Sequence, residues 1–130
     1  MNQIPGLYLL KTEAKGRGVH TAGSIPDGST IEVCPVLVIP EDQVETIHKT
    51  ALHDYYFRWG KDQKEAVILL GLGSLYNHSN EPNAKVILSY EDKEVIIEAN
   101  RTINPGEEIT IDYFNDDSRD EHIWFEIVDK

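Results

Sequence analysis

The chain has 130 residues, and 12 Lys and Arg against 23 Asp and Glu leave a formal charge of −11. A chain of this length suits one domain with a real core; its acidity repels a nucleic-acid phosphate backbone and either attracts Lys-rich partners or serves only solubility, and no apolar run reaches the roughly 20 residues of a membrane span. Cys34 is the only cysteine, which excludes an internal disulfide and a thiolate-built zinc cluster.

Strand signals dominate in chain order. "LYLL" (7–10) and "GVHT" (18–21) are short β candidates. "SIPDGSTIEVCPVLVIP" holds a Pro-Asp-Gly turn and then two Val- and Ile-rich runs separated by Pro35. "EDQVETIHKTALHD" (41–54) is the clear helix: Val44, Ile47 and Ala51 fall at helical spacing, and Glu41 and Asp42 sit where the helix dipole favours negative charge. "YYFRW" (55–59) and "EAVILL" (65–70) predict a hairpin, as do "KVILSY" (85–90) and "EVIIEA" (94–99). "ITIDYF" (109–114) is a last strand, and the acidic tail carries an apolar cluster around Trp124 and Phe125 that is expected to dock on the body. The fold class is mostly β, with short strands and one main helix.

Between the two hairpin regions lies "SLYNHSNEPNAK" (74–85), which changes abruptly from apolar to polar. Turns favour Asn, Ser and Pro, but a His with three Asn is more than a turn requires. A metal site is not expected: His48 and His53 are five apart and do not share a helix face, and no His-Glu-x-x-His pattern occurs. Nor does any Gly-x-Ser-x-Gly elbow support a Ser-His-Asp hydrolase. "KGRGV" (15–19) has two glycines that let backbone approach a ligand, but lacks the third glycine of a dinucleotide loop.

"KGRGV", "LYNHSNEPNAK" and "NPGEEITIDYF", in this order, resemble the SET domain, the fold of protein lysine methyltransferases. The middle stretch is similar to the family's Asn-His-Ser-x-x-Pro-Asn and the last to Gly-Glu-Glu-Leu/Ile-Thr-x-Asp-Tyr. "YYFRW" is similar to the family's Tyr-x-Phe segment and "IPDGSTIEVCP" to its early turn and Glu-bearing strand. The resemblance covers roughly residues 5 to 114, with a flanking tail from about 115 to 130, so the chain reads as one SET-type domain. It implies several short sheets and a C-terminal pseudoknot.

The resemblance also implies an activity: transfer of methyl groups from S-adenosylmethionine to the ε-amine of a protein lysine, without a metal. The alternative is a non-catalytic SET-like module that binds a peptide or the donor. Gly16, Arg17, Gly18, Asn77 and His78 would hold the donor, with Trp124 covering it or walling the channel; plain core packing is the other reading of Trp124 and Phe125. His78 serves either the donor or the crossing of segments. Tyr113 would be catalytic, and Tyr55, Tyr76, Ile111 and Tyr113 would line the lysine channel; Tyr76 also reads as a core aromatic. Asp112 reads as a structural partner, and Glu32 as either structural or near the channel.

Many nuclear members carry cysteine-rich flanks that bind zinc. This chain ends about 17 residues after Tyr113 and resembles the minimal forms. A homodimer could complete the site. The expected partner is a Lys-rich protein or peptide, with no direct contact to nucleic acid or membrane. The start "MNQIPGLYLLKTE" lacks the basic residues of a signal peptide, so the expected compartment is the cytoplasm, or the nucleus in a eukaryote.

Overall fold

The computed structural model of the protein describes residues 2–13 and 16–113. Strands β1 (Leu7–Thr12) and β2 (Gly16–Thr21) form an antiparallel pair of their own. The largest sheet has the order β4 (Tyr56–Trp59), β5 (Glu65–Leu69), β3 (Thr30–Ile39), β8 (Glu94–Ala99), β7 (Ala84–Ser89), every neighbour antiparallel. Both expected hairpins are present, β4–β5 and β7–β8. Two further strands, β6 (Asn77–His78) and β9 (Thr110–Ile111), pair in parallel.

The two Val- and Ile-rich runs around Pro35 form one continuous strand, not two. Residues up to Pro35 pair with β8, and those from Val36 to Ile39 pair with β5. A proline has no N–H to give a ladder. Pro35 sits where the ladder changes partner, so none is missed, and its carbonyl accepts from the Leu70 N–H at 2.9 Å.

The helix is shorter than its periodicity predicts. Helix α1 (Glu41–His48) stops, and a separate 3-10 turn follows at Ala51–Asp54. Thr50 separates them: its backbone is extended, its hydroxyl donates to the Ile47 carbonyl and accepts from the Leu52 N–H. A threonine that hydrogen-bonds its own backbone competes with the helix in this way.

The main core lies between the large sheet and the site segments. Val95, Ile97 and Ala99 alternate inward along β8, as a half-buried strand requires. They meet Val19, Ile31 and Ile109 from the other elements. Cys34 belongs to this core, and burial pushes its thiol well above the usual range, so it is an inert packing group. A smaller cluster, Ile39, Val44, Tyr56 and Ala66, seats α1 on one end of the sheet. Among the described residues, no helix is long and apolar enough to cross a membrane.

Candidate active site

Three segments distant in sequence meet beside the main core. They are β2, the polar stretch from Asn77 to Asn83, and the run from Glu108 to Tyr113. The parallel pairing sets Asn77 opposite Thr110 and His78 opposite Ile111. Parallel pairing over so short a length is weak alone, and side chains reinforce it. The Asn83 amide donates to the Glu108 carbonyl at 2.8 Å, and its oxygen accepts from the Thr110 N–H at 2.9 Å. The Asn83 N–H in turn donates to the Thr110 hydroxyl at 3.3 Å. Asn83 is buried and acts as a backbone surrogate between the two segments.

His78 makes a second tie. Its Nδ1 accepts from the Tyr113 N–H at 3.0 Å, so Nε2 carries the ring proton and faces Asn80 Oδ1 at 3.1 Å. Asp112 lies 3.8 Å from that same Nδ1. Thus Nδ1 of His78 ties the two segments, and Nε2 holds the ring to its own loop.

Tyr113 follows at once. Its hydroxyl donates to the Tyr76 carbonyl at 2.9 Å, and its ring meets Phe57 edge-on, centroids 5.5 Å apart. Burial pushes the phenol up to about 12, and the charges of Glu108, Asp54 and Tyr55 act in the same direction. Tyr113 is therefore a neutral phenol across the physiological range. Tyr55, 37% exposed, stands among the groups around it.

On the other side of Asn77 lies β2. The Asn77 amide nitrogen donates to Glu108 Oε2 at 2.6 Å and to the Arg17 carbonyl at 3.3 Å. Gly18 suits this place: a Cβ would collide with the Glu108 carboxylate and come within 2.7 Å of the Asn77 amide nitrogen, so both side chains would have to move. Gly16 has φ +70 and opens the strand, in a conformation that other residues adopt only under strain.

The structure thus brings Arg17, Gly18, Asn77, His78 and Tyr113 together. It sends the side chains of Tyr76 and Ile111 into the core, where both are fully buried. The Tyr76 phenol donates to Glu32 Oε1 at 2.7 Å, and Glu32 Oε2 accepts from the Leu72 N–H at 2.9 Å and the Gln3 amide at 3.1 Å. Glu32 is a buried structural acceptor, which resolves the choice left open by the sequence. What Tyr76 presents to Tyr113 is its carbonyl oxygen. Trp124 and Phe125 lie outside the described residues. Glu108 was missed as a site residue. It stands within the quoted "PGEEITIDY", and an acidic residue between a Pro-Gly turn and an apolar strand was the available signal. Among the described residues, no group of three His, Cys, Asp or Glu side chains is arranged to hold a metal ion.

The family model described as the SET domain matches residues 16–114, from the first glycine of β2 to the residue after Tyr113. The chain belongs to the SET-domain family. It is 32% identical over 121 residues to a histone-lysine N-methyltransferase of Schizosaccharomyces pombe named as specific for H3 lysine-37, covering 92% of this chain and 77% of that protein. It is also 32% identical over 124 residues to an H3 lysine-36 specific histone-lysine N-methyltransferase of Debaryomyces hansenii, of which the match spans 16%. Among solved structures, a candidate histone methyltransferase of Plasmodium falciparum superposes with TM-score 0.71 at 27% identity, over 92% of this chain and all of that one. This SET domain is a protein-lysine N-methyltransferase, and SET methyltransferases take the methyl group from S-adenosylmethionine.

Proposed function

We propose that this SET domain methylates a lysine in a basic histone-like segment, with Tyr113 at the reacting centre and the donor held by Gly16, Arg17, Gly18, Asn77 and His78. One observation carries the reading. The Tyr113 hydroxyl and the Tyr76 carbonyl, 2.9 Å apart, set two oxygens next to the point where Asn77 meets β2. The residues fit the donor chemically: glycine backbone at Gly16 and Gly18, an Asn77 amide oxygen turned away from Glu108, and acidic groups around a cationic ligand. The mutual crossing of β6 and β9, bolted by Asn83, supports a pseudoknot.

When bound, S-adenosylmethionine supplies an electrophilic methyl on a sulfonium. The protein's task is to receive a neutral amine and align it. Free lysine has a pKa of about 10.4, so most of it arrives protonated. Tyr113 is not the base that deprotonates it, because its own proton is held by burial and donated to Tyr76. The proton leaves to water. Tyr113 and the Tyr76 carbonyl orient the amine and offer oxygen contacts to polarised C–H groups.

The substrate class rests on charge and on kin. A chain of formal charge −11 draws Lys-rich tails, and the relatives are named for histone H3 lysines. A histone substrate would place the protein with chromatin in the nucleus rather than in the cytoplasm.

The expected product is di- or trimethyl-lysine. Monomethylation is favoured where an extra phenol beside the amine holds a water. Ile111 and Val86, at two family positions for that phenol, are aliphatic. The Tyr76 phenol is committed to Glu32 and that of Tyr56 contacts His48 Nδ1 at 2.9 Å, so Tyr55, whose charge acts on Tyr113, is the phenol left that would restrict the product to one methyl. Calorimetry with S-adenosylmethionine in EDTA tests donor binding, and mass spectrometry of an H3-tail peptide tests transfer and methyl number. No donor binding by the wild-type protein, or a product that stops at one methyl in excess donor, would overturn the corresponding part.

A further inference from the structure

We propose that Glu108 is a positioning residue that fixes which end of the Asn77 amide faces the donor, and so makes the site selective for a ligand bearing an ammonium group. The inference rests on the donor site proposed above and adds to it a residue and a selectivity.

An asparagine amide has two faces of opposite character: its nitrogen donates and its oxygen accepts. Only its surroundings decide which one a ligand meets. Here both groups on the protein side are acceptors. Glu108 Oε2 accepts from the amide nitrogen at 2.6 Å, and the Arg17 carbonyl accepts from it at 3.3 Å. An ionised carboxylate has no proton to give, so the flipped amide would set oxygen against oxygen. The flip is closed off, and Asn77 Oδ1 is left turned away. Among the described residues that oxygen has no hydrogen-bond partner.

Glu108 is itself held. Its carbonyl accepts from the Asn83 amide at 2.8 Å, its backbone bridges to His20 in β2, and its carboxylate fills the space that a Cβ at Gly18 would need. Gly18 is thus small to admit the carboxylate as well as the ligand. Its charge also acts on the Tyr113 phenol.

S-adenosylmethionine carries two positive groups. Of these two, the sulfonium has no N–H, so only the α-ammonium can donate a hydrogen bond to an acceptor oxygen. An acceptor held in place for that ammonium needs no reorganisation on binding, which is where preorganised contacts gain affinity. The demethylated product, S-adenosylhomocysteine, keeps the α-ammonium and serves as a stable probe. Its analogue lacking the amine is the control.

Calorimetry of both probes with wild type, Glu108→Gln and Glu108→Asp tests the inference. Gln can donate or accept, so it releases the flip. Asp remains an acceptor only. Wild type should prefer the amine-bearing probe by at least tenfold. Glu108→Gln should lose most of that preference while binding the amine-free analogue as wild type does, and Glu108→Asp should keep much of it. A merely structural role would weaken both probes together in Glu108→Gln, and that result overturns the proposal. So does an unchanged preference. If wild type binds neither probe, the donor site itself falls, and this inference with it. Should Glu108→Gln fail to fold, the wild-type protein decides alone: the Asn77 side-chain amide protons should exchange slowly by NMR without ligand, and exchange at the rate of an exposed amide overturns the lock.

Discussion

The five-stranded sheet and the β6–β9 junction hold together by different physics. β7 and β8 pair along their whole length, from Ala84 to Ser89, over an apolar face whose Val95, Ile97 and Ala99 are all but inaccessible. β6 and β9 pair only at Asn77–His78 and Thr110–Ile111, and the junction depends on Asn83, His78 and Asn77 reaching specific backbone atoms and one carboxylate. Apolar burial is non-directional and spreads its energy over many atoms. Side-chain to backbone bonds are directional, so each fails singly. The sheet should therefore tolerate changes of shape, while the junction should tolerate almost none of its polar groups.

Asn83→Ala is the most direct way to break that contrast. It orphans the Glu108 carbonyl and the Thr110 N–H at a buried crossing. Leaving two backbone groups unsatisfied costs about 3 kcal/mol, and donor binding should go with it. Chemical denaturation and calorimetry on one sample check both. A loss below about 1 kcal/mol would mean that the junction is held by apolar packing after all.

Tyr113→Phe removes one hydroxyl at the same junction and should separate stability from chemistry. Methyl transfer should fall at least about tenfold, or about 1.4 kcal/mol of transition-state stabilisation. Stability should fall by no more than about 1 kcal/mol, the value of the bond to the Tyr76 carbonyl. Donor affinity should hold. Unchanged turnover would remove Tyr113 from the reacting centre.

The two regions also differed in how far the sequence disclosed them. Short apolar and aromatic runs flanking turn-rich stretches gave both hairpins, because strand and turn preferences are local properties. Pro35 misled: its cost depends on which neighbour would have needed its N–H, and that is known only once β3 is seen to change partners. The helix overran because apolar spacing does not report Thr50 capping its own backbone. At the junction, the residue types of Asn77, His78 and Tyr113 were legible through their family pattern. Their partners were not. That Tyr76 gives its phenol to Glu32 and its carbonyl to Tyr113 is a matter of side-chain direction at a crossing of remote segments. Glu108 escaped for the same reason, since a surface turn and a half-buried anchor share one motif.

Ile97→Val is the matching change in the sheet. Ile97 is fully buried on β8, and losing one methylene there should cost about 1 kcal/mol. Transfer rate and donor affinity should be those of wild type, because the strand's neighbours can adjust around a small void. A loss of activity without a larger loss of stability would show that the sheet positions the junction more tightly than its packing suggests.

The smallest effect is expected at the far end of the sheet, where α1 packs. His48 faces a cavity of about 340 Å³ lined also by Glu41, Val44, Glu45, Arg58 and Lys64. Its Nδ1 meets the Tyr56 hydroxyl at 2.9 Å, and its ring stacks on His53 with centroids 4.2 Å apart. Desolvation holds its pKa below the ordinary value, with His53 and the Arg58 guanidinium adding to the effect. An unfolded histidine titrates near about 6.5. Below that pH the unfolded chain takes up a proton that the folded one resists, so this contribution to stability is present above about 6.5 and is lost as pH falls through the lower folded pKa. Urea unfolding at stepped pH should show a shallow decline that His48→Gln flattens. Hydrogen exchange should locate it, with α1 and β4 amides losing protection before those of β6 and β9. Early loss at β6 and β9 instead would place the acid-sensitive group at the junction and make the two ends of the molecule depend on each other.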